Sequence, residues 1–494
     1  MRTSGVLLAV SSLPSRYGIG CFSKEAYDFV DFLVTAGQKH WQILPLGPTG
    51  YGDSPYQSFS TFAGNPYFID PETLIQEGLL TRKDCDRFDF GTDPQKVDYE
   101  KIGRNRMKLL RIAFANSELR TDASYLEFVS ANATWLPDYA LYMALKGRFK
   151  GLSWNLWDED IRFRKKTAVD RYRKELSEEI AFYQFQQYHF DKQWKRLKAY
   201  ANKKGITIIG DIPIYVAFDS ADTWADPKQF QLDRKMIPSG VAGVPPDAFS
   251  ATGQLWGNPL YDWSYHKKSG YEWWLRRIRH CAGIYDIIRI DHFRGFESYW
   301  SVPYGDETAE NGHWEEGPGY DFFRMIKSEC KGIRIIAEDL GILTPAVNRL
   351  VKKTGYPGMK ILQFAFYYGD ESSYLPHNHV RNCIVYTGTH DNDTTVHWYK
   401  SLNRKDQAYL RHYLNIKNTR NVHWDLIRCA LSSVADTVII PMQDYLGLDG
   451  WARMNTPSTL GGNWEWRMKG DALTEDLAQK IVDMTILYGR MSLK

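Results

Sequence analysis

Eight short apolar runs, most of them separated by segments with helical periodicity, constrain this chain more than any other feature. They are GVLLAV at 5–10, HWQILP at 40–45, ITIIG at 206–210, IIRI at 287–290, IRIIA at 333–337, MKILQFAF at 359–366, CIVYT at 383–387 and TVIIP at 437–441. Each is four to eight residues long, rich in β-branched side chains and closed by polar residues, as buried strands are. Between them AYDFVDFLVTAG at 26–37 reads as a helix ending on Gly37. The amphipathic stretch 165–204 ends on Gly205, a natural position for the left-handed residue after a helix. TPAVNRLVKKTG at 344–355 begins with a Thr cap and a Pro and closes on glycine. Continuous apolar strands alternating with helices imply a parallel sheet covered on both faces. Eight of them imply an α/β chain folded as a (β/α)8 TIM barrel with large insertions between barrel strands. The runner-up, an open doubly wound sheet, announces itself by a Gly-rich phosphate turn after its first strand. Here the first run leads into SSLPSRYGIG, and neither GxGxxG nor a P-loop occurs.

The spacing of the runs sets the domain organisation. Residues 1–494 read as one catalytic barrel unit. Residues 66–160 form a mainly helical insertion after strand two. Residues 212–286 form a loop-rich insertion, with a lid at 245–263 too rich in aromatics to be disordered. Composition narrows the partners. Lys plus Arg is 62 and Asp plus Glu is 59, a formal charge of +3, which gives no basic stripe for nucleic acid. No apolar stretch approaches the ~20 residues of a membrane span, and MRTSGVLLAVSSLP reads as a strand rather than a signal peptide. Six cysteines lie too far apart for a CxxC metal or redox site and suit a reducing cytoplasm. Aromatics reach 15%, with 17 Trp and 31 Tyr, whose flat apolar faces and polar edges suit sugar rings.

In such a barrel, chemistry gathers at the C-terminal ends of the strands. Strand three leads into Asp211, strand four into Asp291, strand five into Glu338 and Asp339, and strand seven into His390, Asp391 and Asp393. An acid after a strand is commonly a cap or turn residue, but several converging on one rim form a candidate site. Arg289 and Asp291, two apart on one strand, share a face. The guanidinium is expected to keep Asp291 ionised, as a nucleophile requires. Glu338 has no arginine beside it in sequence and is expected to hold a proton. One charged and one protonated carboxyl are the working parts of a retaining glycosidase mechanism; their separation should be roughly 5–5.5 Å if a covalent glycosyl-enzyme forms and more than ~6.5 Å if water attacks directly.

RIDHFRG at 289–295, AEDLG at 337–341, TGTHDND at 387–393 and GDIPIYV at 210–216 resemble the 4-α-glucanotransferases, glycoside hydrolase family 77 of the α-amylase clan. YGDSPYQSFSTFAGNPY at 51–67, PPDAFSATGQLWGNPLYDW at 245–263 and GNWEWR at 462–467 extend the resemblance along the whole chain. The resemblance implies that Asp291 is the nucleophile, Glu338 the general acid/base and Asp391 the transition-state stabiliser, supported by Arg289 and His390. It implies that Ser54, Tyr56, Asp211, Trp256, His292 and Asn463 line glucose subsites. It places Asp247 and Phe249 on a loop covering the site, where some members carry a tyrosine and this chain has Ala248. Asp339 and Asp393 read as structural.

The implied reaction transfers a segment of α-1,4-glucan from a donor maltodextrin to the 4-hydroxyl of an acceptor glucan or glucose. The 245–263 segment is expected to exclude water and bind the acceptor. Partners would be maltooligosaccharides and starch- or glycogen-derived glucans, without nucleic acid or membrane; the oligomeric state is not specified. No metal and no organic cofactor is called for. Two other readings compete. An α-1,4-glucan hydrolase of the α-amylase clan would often carry a calcium site and a secretion signal, but DCDRFDFG at 84–91 has Phe where a third acidic ligand belongs. A non-catalytic glucan-binding protein would be expected to lack one of Asp291, Glu338 and Asp391, and all three are present.

Overall fold

In the computed structural model, which describes residues 2–246, 250–341 and 343–491, each of the eight apolar runs contributes a strand to one sheet. These strands are β1 (Thr3–Leu7), β2 (His40–Gln42), β3 (Thr207–Ile212), β4 (Ile287–Ile290), β5 (Arg334–Ala337), β6 (Gly358–Ile361), β7 (Cys383–Tyr386) and β8 (Thr437–Pro441). The ladder runs β6–β7–β8–β1–β2–β3–β4–β5, every pairing parallel. At the remaining seam the Ala337 amide donates to the Pro357 carbonyl at 3.0 Å. Asp339 takes over where the backbone ladder stops: its Oδ1 accepts the Met359 amide at 2.7 Å. Gly358 is required there, because a Cβ would come within 2.3 Å of Asp339 Oδ2. The sheet therefore closes into a barrel.

Helices cover it as their periodicity predicts. Lys24–Thr35 buries Ala26, Phe29, Val30 and Leu33, one stripe at helical spacing, and sets the Phe29 ring edge against Trp41 of β2. Pro345–Thr354 starts where the Thr344 hydroxyl accepts the Val347 amide and ends at Gly355 with φ 69°. The stretch expected as one helix over 165–204 is two, Lys166–Glu175 and Ser177–Lys203, because Leu176 leaves helical geometry (φ −107°, ψ 23°). The run at 359–366 stops being a strand at Ile361 and tightens into a 3₁₀ turn over Leu362–Phe364.

Between β2 and β3 lie helices from Pro71–Gln76 to Ser177–Lys203. Lys146 and Tyr142, on Leu136–Arg148, reach the loop after β3: Lys146 Nζ donates to Asp219 Oδ2 at 2.6 Å and the Tyr142 hydroxyl to Asp219 Oδ1 at 2.5 Å. The region after β3 holds more regular structure than its Gly/Pro content suggests. Gly240–Val244 and Gln254–Pro259 pair antiparallel, and Ser298–Pro303 and His313–Glu316, which follow β4, complete a four-stranded sheet. All six cysteines are buried and unpaired. Among the described residues no helix is long and apolar enough to cross a membrane.

Candidate active site

Register brings the charged residues together. Asp211 on β3 is the ladder partner of Arg289 on β4, and Ile290 of β4 is the partner of Ala337 of β5. One step further, Asp291 and Glu338 leave their strands side by side. Backbone bonds continue past the strand ends, from the Asp291 amide to the Ile212 carbonyl at 3.0 Å and from the Glu338 amide to the Ile290 carbonyl at 3.1 Å.

Arg289, 3% exposed, is the centre of the cluster. Its Nη1 donates to Asp211 Oδ2 at 2.5 Å and to Asp291 Oδ1 at 3.0 Å. Burial disfavours the guanidinium charge, but Asp211 and Asp291 more than offset it, so Arg289 stays protonated. The Tyr56 hydroxyl donates to the same Asp211 oxygen at 2.8 Å. Burial first, and the Asp211 charge second, keep that phenol protonated.

Glu338 accepts two backbone amides, that of His292 on Oε2 at 2.6 Å and that of Leu340 on Oε1 at 2.9 Å. Burial raises its carboxyl to about 8, and the negative charge of Asp291 adds to the rise; Arg289 and the two amides oppose it without cancelling it. Asp291 departs from the sequence expectation. Arg289 does favour its ionised form, but burial is the larger effect and, with Asp211 and Asp391 nearby, raises this carboxyl to about 7. The two groups titrate as a pair, both carboxyls raised by burial and Glu338 further by the Asp291 charge.

The third carboxylate comes from the β7 loop. Within TGTHDND, the Thr389 amide and hydroxyl both donate to Asn392 Oδ1, and the Asp391 amide donates to the Thr389 hydroxyl at 3.3 Å. Asp391 Oδ2 stands 3.3 Å from His390 Nε2. Burial lowers the His390 pKa and so favours the neutral imidazole, while the neighbouring Asp391 charge opposes that shift. The His390 ring stacks on Tyr56, centroids 5.2 Å apart and planes 13° from parallel. Across the cleft, Trp256 on the antiparallel sheet meets His292 edge to face at 4.7 Å. Asp211 Oδ1, His292 Nε2 and His390 Nδ1 are buried without a partner in the protein.

Thus Asp211, Arg289, Asp291, His292, Glu338, His390, Asp391, Tyr56 and Trp256 form a connected cluster. Ser54 supports it locally, its hydroxyl accepting the Tyr56 amide at 3.2 Å. The Asn463 side chain bridges its own loop, accepting the Thr456 amide at 2.9 Å and donating to the Thr459 carbonyl at 3.1 Å. Asp247 and Phe249, with Ala248 between them, lie outside the described residues. Asp393 accepts the Thr394 amide at 2.8 Å and pairs with His397. Sequence reasoning missed Arg453 and Asn455, which contact Asp391 from beyond β8. Nothing in their local pattern marks them, because they follow no strand. Among the described residues no three His, Cys, Asp or Glu side chains are gathered as a metal would require.

The chain is similar to known enzymes along nearly its whole length. The sequence profile described as 4-alpha-glucanotransferase, of glycoside hydrolase family 77, matches residues 8–474. A 4-alpha-glucanotransferase of Clostridium butyricum is 51% identical over 97% of this chain and 99% of its own. One from Streptococcus pneumoniae (strain ATCC BAA-334 / TIGR4) is 50% identical over 99% and 98%. The solved structure of an amylomaltase from Streptococcus agalactiae in complex with acarbose superposes with a TM-score of 0.97 at 43% identity, covering all of both chains. A barrel of this register, a rim of three carboxylates around one buried arginine and full-length similarity to these enzymes lead to one conclusion: the chain belongs to the 4-alpha-glucanotransferase family of glycoside hydrolase family 77.

Proposed function

We propose that the protein disproportionates α-1,4-glucans in the cytoplasm, with Asp291 as nucleophile, Glu338 as general acid/base and Asp391 as stabiliser of the developing charge. One observation carries this reading: Asp291 and Glu338 step off adjacent, registered strands into one buried rim, where Arg289 holds Asp291 and two backbone amides hold Glu338. Residues that leave neighbouring strands side by side, with the Asp291 charge acting on Glu338, suit the close carboxyl pair of a retaining mechanism.

In the first half-reaction an Asp291 oxygen attacks the anomeric carbon of the donor. The bond from that carbon to the glycosidic oxygen breaks, and Glu338 gives its proton to the departing 4-oxygen. In the second, the Glu338 carboxylate takes the proton of an acceptor 4-hydroxyl. The acceptor oxygen then attacks the anomeric carbon and expels Asp291, restoring both groups. Positive charge on the sugar ring in both transition states faces the Asp391 carboxylate. The unpartnered nitrogens of His292 and His390 and the free oxygen of Asp211 suit sugar hydroxyls, and Tyr56 and Trp256 suit ring faces. Maltooligosaccharides and longer α-1,4-glucans fit this cleft as donor and acceptor. Unpaired cysteines fit a reducing compartment.

Hydrolysis differs only in the acceptor, so the test must read the acceptor. Incubation with maltotriose should yield glucose and a ladder of shorter and longer maltodextrins while total reducing ends stay constant. Rising reducing ends with only shorter products would make the protein a hydrolase. Bound but unchanged maltotriose would make it a glucan-binding protein.

A further inference from the structure

The loop that carries Asp391 is held from outside the barrel strands. After β8 the chain passes through the short helical turns Met442–Tyr445 and Gly450–Ala452 and lays residues 453–455 along the β7 loop. The Asn455 amide nitrogen of the backbone donates to the His390 carbonyl at 3.1 Å. Arg453 Nη2 donates to the Asp391 carbonyl at 2.8 Å, and its Nε donates to the Asn455 carbonyl at 2.8 Å. One guanidinium thereby ties the two segments together. The remaining bond reaches the carboxylate itself: Asn455 Nδ2 donates to Asp391 Oδ1 at 2.7 Å.

That bond has a specific consequence. The Asp391 side chain is 42% exposed, so packing alone does not choose among its staggered rotamers. Its Oδ2 faces His390 at 3.3 Å, a long contact, and its Oδ1 is held by Asn455 at the shorter distance. The donor is also neutral. An ionised carboxylate only accepts, so it is the amide nitrogen that must face it. An amide holds the carboxylate in place without cancelling its charge, whereas a lysine or arginine there would form an ion pair and draw the carboxylate away from a substrate.

We propose that Asn455 is a positioning residue for Asp391: its side-chain amide selects the carboxylate orientation that stabilises the charge developing on the sugar ring, and Arg453 fixes the backbone beneath it. The proposal rests on the role given above to Asp391.

The experiment compares N455A, N455D and D391N with the parent enzyme, measuring kcat and KM on maltotriose, acarbose affinity and thermal melting. Acarbose carries a protonated imino nitrogen beside a flattened ring and so imitates the charged transition state. N455A should lower kcat by about 10- to 100-fold, the scale of a misplaced catalytic group, with a parallel loss of acarbose affinity and a KM change below about threefold. N455D keeps the shape but replaces the donor with a carboxylate that repels Asp391, so it should be the slower of the two. A residue that merely fills space would give the opposite order, N455D above N455A, with KM and melting temperature moving along with kcat; either that order or an N455A kcat within twofold of the parent overturns the proposal. D391N separates this from the underlying reading. If D391N retains activity within tenfold of the parent, the role of Asp391 itself is wrong; if D391N is inactive while N455A is normal, only the positioning role falls.

Discussion

The backbone amide of His292 donates to Glu338 Oε2 at 2.6 Å, and the left-handed conformation of His292 (φ 50°, ψ 48°) turns it there. A non-glycine residue in that region is uncommon and carries strain. Here the strain bends the chain directly after the nucleophile, so that Asp291 faces Arg289 while the next amide faces the acid.

The pH dependence of the reaction follows from this pair. Catalysis needs the proton on Glu338 and none on Asp291. Glu338 is raised to about 8, so kcat/KM should fall on the alkaline side with a midpoint near that value, far above the 4.5 of a free glutamate. On the acid side the pair takes up its second proton, and Asp291, raised to about 7, loses its nucleophilic charge. The two limbs belong to the pair rather than to either residue. Steady-state kinetics on maltotriose from pH 4 to 10 should give a narrow bell around neutrality. An alkaline midpoint below pH 6 would contradict the burial of Glu338.

The same shift makes Glu338 a stability liability. A buried acid whose folded-state pKa is raised from 4.5 to about 8 favours folding only while neutral. Its contribution is present below about 4.5 and is lost as pH rises through 8, because the unfolded chain ionises freely. E338Q removes that loss. Its melting temperature should exceed the parent's at pH 8, and the gap should close by pH 4.5, while kcat falls by about 10²- to 10⁴-fold. Equal melting curves at pH 8 would show that Glu338 is not held neutral.

Arg289 should be the least replaceable residue of the cluster. Its side chain is 3% exposed and that of Asp211 is fully buried. R289A leaves Asp211 a buried charge with only the Tyr56 hydroxyl beside it, at a cost of about 3–5 kcal/mol. D211N alone removes one partner of the pair, but R289A/D211N together remove the uncompensated charge. Urea unfolding of the double-mutant cycle should therefore show the double variant more stable than R289A. Activity should stay low in all three, since Asp291 loses either its guanidinium or the geometry that holds it.

How much of this was legible in the chain depends on distance along it. The eight strands were readable because a parallel strand covered on both faces is a continuous apolar run. Asp291, Glu338 and Asp391 were readable because they stand where such runs end. The antiparallel sheet that carries Trp256 was not: Gly240, Gly243, Gly257 and Pro259 interrupt its two earlier strands and hide their periodicity. The protonation of the pair was half legible. Arg289 two positions from Asp291 announced an ion pair, but burial, which outweighs it, is a property of the folded rim. Arg453 and Asn455 lay beyond reach, since their partner Asp391 is 62 and 64 positions away and only the closed barrel brings them to it.

Asp219 is one of the polar joints between the helical insertion and the barrel, beside others such as the Val97 amide donating to the Glu465 carbonyl at 2.7 Å. Asp219, in the loop after β3, accepts from Lys146 Nζ, the Tyr142 hydroxyl and the Trp154 amide. Lys146 is nearly buried and also donates to the carbonyls of Gly151 and Leu152, so D219A does not leave the ammonium bare. The loss should then match a charge-assisted hydrogen bond, about 1.5–3 kcal/mol, rather than a bare buried ion. None of these atoms touches the rim cluster, so kcat on maltotriose at 25 °C should stay within twofold of the parent. Replacing the ammonium as well, in D219A/K146M, should recover part of the stability, because an apolar side chain in the same space carries no charge to satisfy. Thermal melts of the parent and the two variants decide it. A D219A melting temperature equal to the parent's would show that packing and the remaining bonds, among them Tyr99 to the Trp464 carbonyl, hold the insertion without Asp219.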